Sequence, residues 1–326
     1  MFEKATLMWI YAENPVHAGA GSGVGAIDLP VQRERITNWP IIQPSGIKGA
    51  LREFFEILER GGGREDAAFK EKIKEAFGPE LQPGTEAHSG ALAFTEARLL
   101  FFPVRSLQGT FAYLTCPLAL ERLRRDLETV AACGGPSLAA SLPSLSNGGP
   151  SADRAWVAEA SSLSIAPGNG SRVVFEEMAF QAEAREEVSK LGGWVEKQAA
   201  KLPWLGRLAE RVALVHDDVF KDFVEMSTEV VARNRIDDET GTVQEGALWY
   251  EEHLPRETVL YSAIFAAAPF VKATNRKLAD AGAVIEFFRS RTDGKHVWVG
   301  GDVTVGRGLV RTGFPPEAAG KGGKKS

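Results

Sequence analysis

The chain reads as an α+β protein, and two observations carry that reading. Segments of strand and helix character interleave irregularly with no internal repeat period, and a stretch rich in Gly, Ser, Pro and Ala interrupts them at 133–171. A doubly wound sheet would alternate its elements more regularly, so one elaborated domain over residues 1–314 is the expectation. Residues 315–326, PPEAAGKGGKKS, read as a disordered tail.

Residues 5–12, ATLMWIYA, form the first strand, rich in large apolar residues and bounded by Glu13, Asn14 and Pro15. After a glycine-bearing loop, Ile47, Ala50, Leu51, Phe54, Phe55 and Leu58 fall at helical spacing, with Ser45 as the N-cap and Gly61 as the stop. Strands follow at about 91–104 and 110–115, and Pro117 opens a helix through LALERLRRDLETV. The 133–171 stretch has no strong period and reads as an insertion or mobile loop. A strand near 171–180, a helix across about 183–200 and a short helix near 217–225 come next. Two β-prone runs flanking the polar DDETGT then make residues 228–254 a long hairpin. A buried strand in ETVLYSAIFAA, a helix over 272–289 and a closing strand pair around a glycine loop complete the domain.

With 326 residues, 44% of them hydrophobic, the chain can bury a substantial core. Its two cysteines, Cys116 and Cys133, make neither a disulfide framework nor a zinc motif, which predicts a reducing, cytoplasmic location. No signal-peptide pattern and no run of about 18 apolar residues predicts a membrane partner. A net charge of −5 argues against an all-over basic surface, so any nucleic-acid site must be local. Basic residues do cluster with glycines around Arg33, Arg35 and Lys48 and again at Arg307 and Arg311.

The segment from His17 to Asp28, HAGAGSGVGAID, carries glycine at four alternate positions, which lets backbone amides approach an anion such as phosphate. It is not a dinucleotide fingerprint, because Pro30 discourages the required helix and no acidic residue follows about 20 positions on. Lys48 lacks the spacing of a phosphate-binding P-loop. An imidazole and a carboxylate on one loop, beside Arg33 and Arg35, are chemically adequate for RNA transesterification. The same residues also suit a surface histidine and a turn-forming aspartate. GGDVTVGRG, residues 300–308, is a second glycine loop, consistent either with phosphate contact or with a tight strand connection.

Together these segments resemble the RAMP (repeat-associated mysterious protein) superfamily of CRISPR proteins. GGDVTVGRG looks like its glycine-rich loop, and HAGAGSGVGAIDLPVQRE after an N-terminal strand looks like the Cmr-type backbone subunit. PIIQPSGIKGALRE matches that family's helix opening, and RNRIDDETGTVQEGALWYEEHLP is similar to its thumb hairpin. The resemblance implies an RRM/ferredoxin-like palm with inserted elements and a β-hairpin thumb. It further implies copies stacked head to tail along a CRISPR guide RNA, with other Cmr subunits as partners, and metal-dependent cleavage of target RNA at regular intervals.

By the same correspondence Asp28 is the principal cleavage residue and the ligand of a divalent ion, Mg or Mn. His17 lies in the same site, and Glu251 or Glu252 assists; the family often has tyrosine near His253. Arg33, Ser45, Lys48, Arg52, Thr240, Gly301, Thr304 and Arg307 are the implied RNA contacts. Two alternatives stand beside this reading: a guide-binding scaffold that does no chemistry, and a metal-independent endonuclease that matures the guide precursor.

Overall fold

Strand β1 (Lys4–Ala12) is buried along nearly its whole length, and that single fact dictates the layering around it. Side chains of a strand point alternately to opposite faces, so an unbroken apolar run needs cover above and below. Met8, Ile10 and Ala12 accordingly join one core, while Leu7, Trp9 and Tyr11 join a second. The structure is a computed structural model that describes residues 1–23, 25–61, 67–80, 87–165, 170–202 and 208–316.

Beyond β1 come β2 (Ile41–Ile42), α1 (Pro44–Gly61), α2 (Ala67–Phe77), β3 (Leu92–Phe94), β4 (Ala97–Arg105), β5 (Phe111–Thr115) and α3 (Pro117–Ala132). The middle of the chain supplies β6 (Arg154–Val157), β7 (Arg172–Phe175), β8 (Met178–Ala184), α4 (Glu186–Gln198), α5 (Leu208–Arg211), β9 (Val212–Leu214) and α6 (Asp217–Met226). The last third holds β10 (Glu229–Ile236), β11 (Val243–His253), β12 (Val259–Ala266), α7 (Ala281–Thr292), β13 (His296–Trp298) and β14 (Leu309–Gly313).

The main sheet runs β13-β14-β1-β12-β4-β5-β9-β6-β8-β7. Its heart, β14-β1-β12-β4, is antiparallel throughout. With α1 following β1 and α7 following β12, the spatial order of these four strands is fourth, first, third, second, the ferredoxin-like arrangement expected of an RRM-like palm. One face is covered by α1 and α7, where the Phe55 ring lies 5.1 Å from Phe287 and 5.2 Å from Phe77. The other is covered by Leu120, Leu123 and Leu127 of α3 and Val188, Leu191 and Val195 of α4. An RRM sheet that stacks bases on its open face cannot also carry a helix there. This palm has both faces closed, so its sheet offers no open platform of that kind.

The hairpin β10/β11 is a separate two-stranded sheet, paired from Glu229↔His253 onward and bulged between Asn234 and Ile236. Its tip is organised by Asp237, whose Oδ1 accepts from the backbone amides of Glu239 (3.0 Å) and Thr240 (2.9 Å). The expected long hairpin is therefore present at its expected position.

Other expectations are corrected. Helix α1 starts at Pro44, so Ser45 lies inside the first turn and is not the N-cap; proline at the first helical position, with the Ile47 amide donating to the Gln43 carbonyl, makes the start. The 133–171 stretch is packed rather than loose over its described part. The Arg124 guanidinium binds the carbonyls of Ala139, Leu142 and Pro143, Leu142 and Leu163 are buried, and Arg154–Val157 joins the sheet. Helix α7 begins at Ala281 rather than near 272, because the Asp280 carboxylate caps it by accepting from the Ala283 amide. Most of the tail, 317–326, lies outside the described residues. No helix among the described residues is long and apolar enough to cross a membrane.

Truncating α3 and truncating the thumb should therefore differ sharply. Leu123→Ala opens a cavity at a fully buried site and should cost about 2–5 kcal/mol in urea denaturation, whereas Leu248→Ala, 57% exposed on the thumb, should change stability by no more than roughly 0.5 kcal/mol.

Candidate functional site at the base of the thumb

The last turns of β11 bring together every residue assigned to catalysis from the sequence. Alternation along the strand sets Trp249, Glu251 and His253 against Tyr250 and Glu252. The two neighbouring glutamates consequently do different things.

Glu252 is a pin. Its carboxylate accepts from Arg33 at 2.5 Å, from the Val31 amide at 2.9 Å and from the Thr228 hydroxyl at 2.8 Å, and it is buried. The loop after β1, the end of α6 and the thumb meet on this one group. Glu251 is buried too, but only Oε1 is engaged, by the Trp249 indole at 2.7 Å. Its Oε2 has no hydrogen-bond partner among the described residues and lies 3.7 Å from Arg233 and 3.9 Å from His253. Of the two candidates for assisting the chemistry, Glu251 is the one with an unspent oxygen.

His17 stands across from this strand. Its Nδ1 donates to the Glu252 carbonyl at 2.7 Å, and its ring lies 5.3 Å from that of His253. The second glycine loop closes the other side, with the Gly301 amide donating to the His17 carbonyl at 2.9 Å. At Gly300 (φ +88) a Cβ would sit 2.3 Å from that same carbonyl oxygen, so only glycine permits the approach. Asp302, in the left-handed region at φ 60, has its carboxylate 3.9 Å from His253 Nε2. His17, His253 and Asp302 each contribute one ligand-type atom to a set lying within 4.8 Å. Burial, then Arg307 and His17, hold the His253 imidazole below its ordinary pKa, against the opposing pull of Glu229 and Glu251.

Asp28 is outside that cluster. It is exposed, its Oδ2 accepts from the Tyr250 amide at 2.8 Å, and the next residue, Leu29, bridges to Glu251. A carboxylate has acceptor capacity left after one such bond, so an exposed hard-oxygen donor remains available to a hydroxyl or a cation. Asp28, His17 and Glu251 are thus joined through three consecutive residues of one strand, 250–252.

The implied RNA contacts are dispersed, and several are already paired within the chain. Arg33 is held by Glu252; Arg52 pairs with Glu56 at 2.8 Å and Glu80 at 3.7 Å; Arg307 pairs with Glu229 at 2.9 Å. Lys48 donates to the Leu92 carbonyl, and burial with Arg52 nearby lowers its pKa. Ser45 and Thr304 are exposed, Gly301 is committed to His17, and Thr240 sits at the thumb tip bonded to Asp237. Sequence reasoning did not assign His253 and Asp302. The available signal was an i, i+2 Glu-x-His on one strand face and a carboxylate within a glycine loop.

The RAMP superfamily model matches residues 9–311. Over 310 residues the chain is 36% identical to the CRISPR system Cmr endoribonuclease Cmr4 of Pyrococcus furiosus, covering 94% of this chain and 95% of that one. Oligomeric Cmr4 from Pyrococcus furiosus superposes with a TM-score of 0.69 at 30% identity, covering 96% and 98% of the two chains. A chain of the type III-B Cmr-beta complex bound to cognate target RNA shares the fold with a TM-score of 0.71 at 20% identity, covering 96% and 98%.

The two glutamates should separate in a stability measurement. Glu252→Ala strands Arg33 and two other donors and should cost roughly 3 kcal/mol or more in chemical denaturation, while Glu251→Gln should stay within about 1 kcal/mol because it keeps the Trp249 bond.

Proposed function

This chain belongs to the RAMP superfamily, and from that premise we propose that it is a guide-RNA-binding backbone subunit and endoribonuclease of a type III-B (Cmr) CRISPR effector, acting in the cytoplasm. The observation that carries the reading is Asp28, an exposed carboxylate moored to the thumb's base by the Tyr250 amide. A scaffold that only holds guide RNA has no use for a negative charge facing phosphate. A relative named as an endoribonuclease, 36% identical over 94% of the chain, supports the same choice.

In the proposed reaction the 2′-hydroxyl of a target nucleotide gives its proton to solvent and attacks the adjacent phosphorus, the bond to the 5′-oxygen breaks as that oxygen takes a proton from solvent, and a 2′,3′-cyclic phosphate and a 5′-hydroxyl result. Asp28 would hold a divalent ion, Mg or Mn, whose positive charge would offset the negative charge that builds up on the phosphorane. Asp28 also orients the attacking hydroxyl. His17, with Nδ1 committed to the Glu252 carbonyl, would stand in the wall of the same site, and Glu251 would set the local charge. The thumb would displace one nucleotide of the guide–target duplex, presenting a backbone bent enough for in-line attack. Ser45, Lys48 and Arg52 on α1 would meet the guide, with Arg33, Thr240, Gly301, Thr304 and Arg307 completing the track. Copies stacked head to tail on one guide, together with other Cmr subunits, would multiply a weak grip per chain into a strong one.

Asp28→Asn in the assembled complex should lower target cleavage by at least ~10²-fold while target binding stays near the parent level, read on a labelled target RNA with and without chelator. Normal cutting by the variant would sink the assignment in favour of a scaffold, and chelator-resistant cutting of guide precursor would favour the processing enzyme.

Shortening the hairpin between Ile236 and Val243 should leave the chain folded and degrade the cleavage ladder, blurring its spacing. An unchanged ladder would make this hairpin an ordinary surface element.

A further inference from the structure

The cleavage reading leaves His253 and Asp302 without a task. His253 is completely buried, yet neither of its ring nitrogens has a hydrogen-bond partner among the described residues. A buried polar group without a partner is destabilising, and in a native structure it calls for a ligand or a proton role. The buried Oε2 of Glu251, 3.9 Å from His253 Nε2, is a second such atom in the same place.

We propose that His17, His253 and Asp302 bind a transition-metal ion of the zinc or cobalt type, separate from any oxygen-ligated ion at Asp28. The proposal does not depend on the cleavage reading.

Three features of the site fit it. Their ligand atoms already lie within 4.8 Å of one another, and the two carboxylates are each 3.9 Å from His253 Nε2. Metal bonds of about 2.0–2.2 Å in a tetrahedron put ligand atoms roughly 3.4 Å apart, so each of these two separations need close by only about half an ångström. His17 is oriented as a metal ligand usually is: Nδ1 donates to the Glu252 carbonyl, which fixes the tautomer and leaves the lone pair on Nε2. Asp302 holds a left-handed backbone conformation that is unusual for a residue other than glycine, and its carboxylate, 26% exposed, gives the cluster its opening toward solvent.

The charge balance is also favourable. Asp302 and Glu251 are two negative groups at the cluster, of which Glu251 also faces Arg233 at 3.7 Å, and the nearby Arg307 cation is neutralised by Glu229 at 2.9 Å. The donor set decides the metal class: two imidazoles with carboxylate suit borderline ions, whereas Mg²⁺ prefers oxygen ligands and retains its water. Geometrically, the ion would staple the 300–308 glycine loop to the thumb strand and to the loop after β1.

The test uses the full chain, freed of metal by chelator and titrated with Co²⁺ while visible absorption and calorimetry are recorded. One Co²⁺ per chain is expected, with d–d bands, displaceable by Zn²⁺ and not by a large excess of Mg²⁺. His253→Gln and Asp302→Asn should each weaken binding at least ~10-fold, the lower end even for loss of an outer-shell partner. Asparagine tolerates the left-handed backbone, so the second variant keeps its fold even if the first does not. Asp28→Asn should bind Co²⁺ as the parent does, whatever happens to its cleavage. Absence of stoichiometric Co²⁺ binding, unaltered affinity in both variants, or equal competition by Mg²⁺ would overturn the proposal. So would a chain that binds no Co²⁺ but whose pH–cleavage profile shifts in His253→Gln, since that would assign the cluster to proton transfer. Loss of cleavage with Co²⁺ binding intact bears on the function alone.

Discussion

Everything about this molecule follows from burying both faces of its central strands. Trp9 and Tyr261 sit on one side of the sheet and Ile10 and Leu260 on the other, in separate cores. A ferredoxin-like palm needs only one covering layer; this one recruits α3 and α4 to close the second face, and the chain is long because of it. Closure removes the sheet surface as a platform for bases. Chemistry is pushed to the margin of the sheet, where loops leave the strand ends and the thumb rises.

At that margin, one strand does the gathering. β11 is a thumb strand for most of its length and a palm-edge element at its end, where residues 250–252 contact the loop bearing His17 and Asp28. The change of character is enforced by Glu252, whose three hydrogen bonds leave the thumb little freedom to swing as a rigid body about its base. Two adjacent glutamates of identical chemistry thereby acquire opposite roles, one spent on architecture and one left with capacity. Nothing in their side chains distinguishes them; the pleat of the strand does.

That division explains what could be read from the sequence and what could not. The first strand, α1, the thumb and the position of its polar tip were legible because each has a local cause: an apolar run, a 3.6-residue period, or turn formers between β-prone segments. The stretch over 133–171 was not, since its packing depends on a distant arginine, Arg124, capturing three carbonyls, and composition carries no trace of that. Ser45 looked like a cap because it is a good capping residue, but Pro44 at the first helical position decides the start. Asp28, His17 and Glu251 were named through family resemblance, and the structure brings them to one strand end. His253 and Asp302 escaped because they lie about 50 residues apart in sequence, and neither has a motif of its own.

The internal ion pairs of Arg33, Arg52 and Arg307 have a further consequence, for selectivity. On the proposed function, an RNA phosphate arriving at any of them would find the seat taken by a carboxylate, so binding there would be an exchange of one anion for another and not the filling of a vacancy. An exchange of this kind yields little net energy for a lone encounter with a passing transcript. It becomes favourable when many exchanges are made in register along a single strand. The protein's own glutamates would thus act as competitors that discount casual contacts and reward a long, correctly threaded polymer.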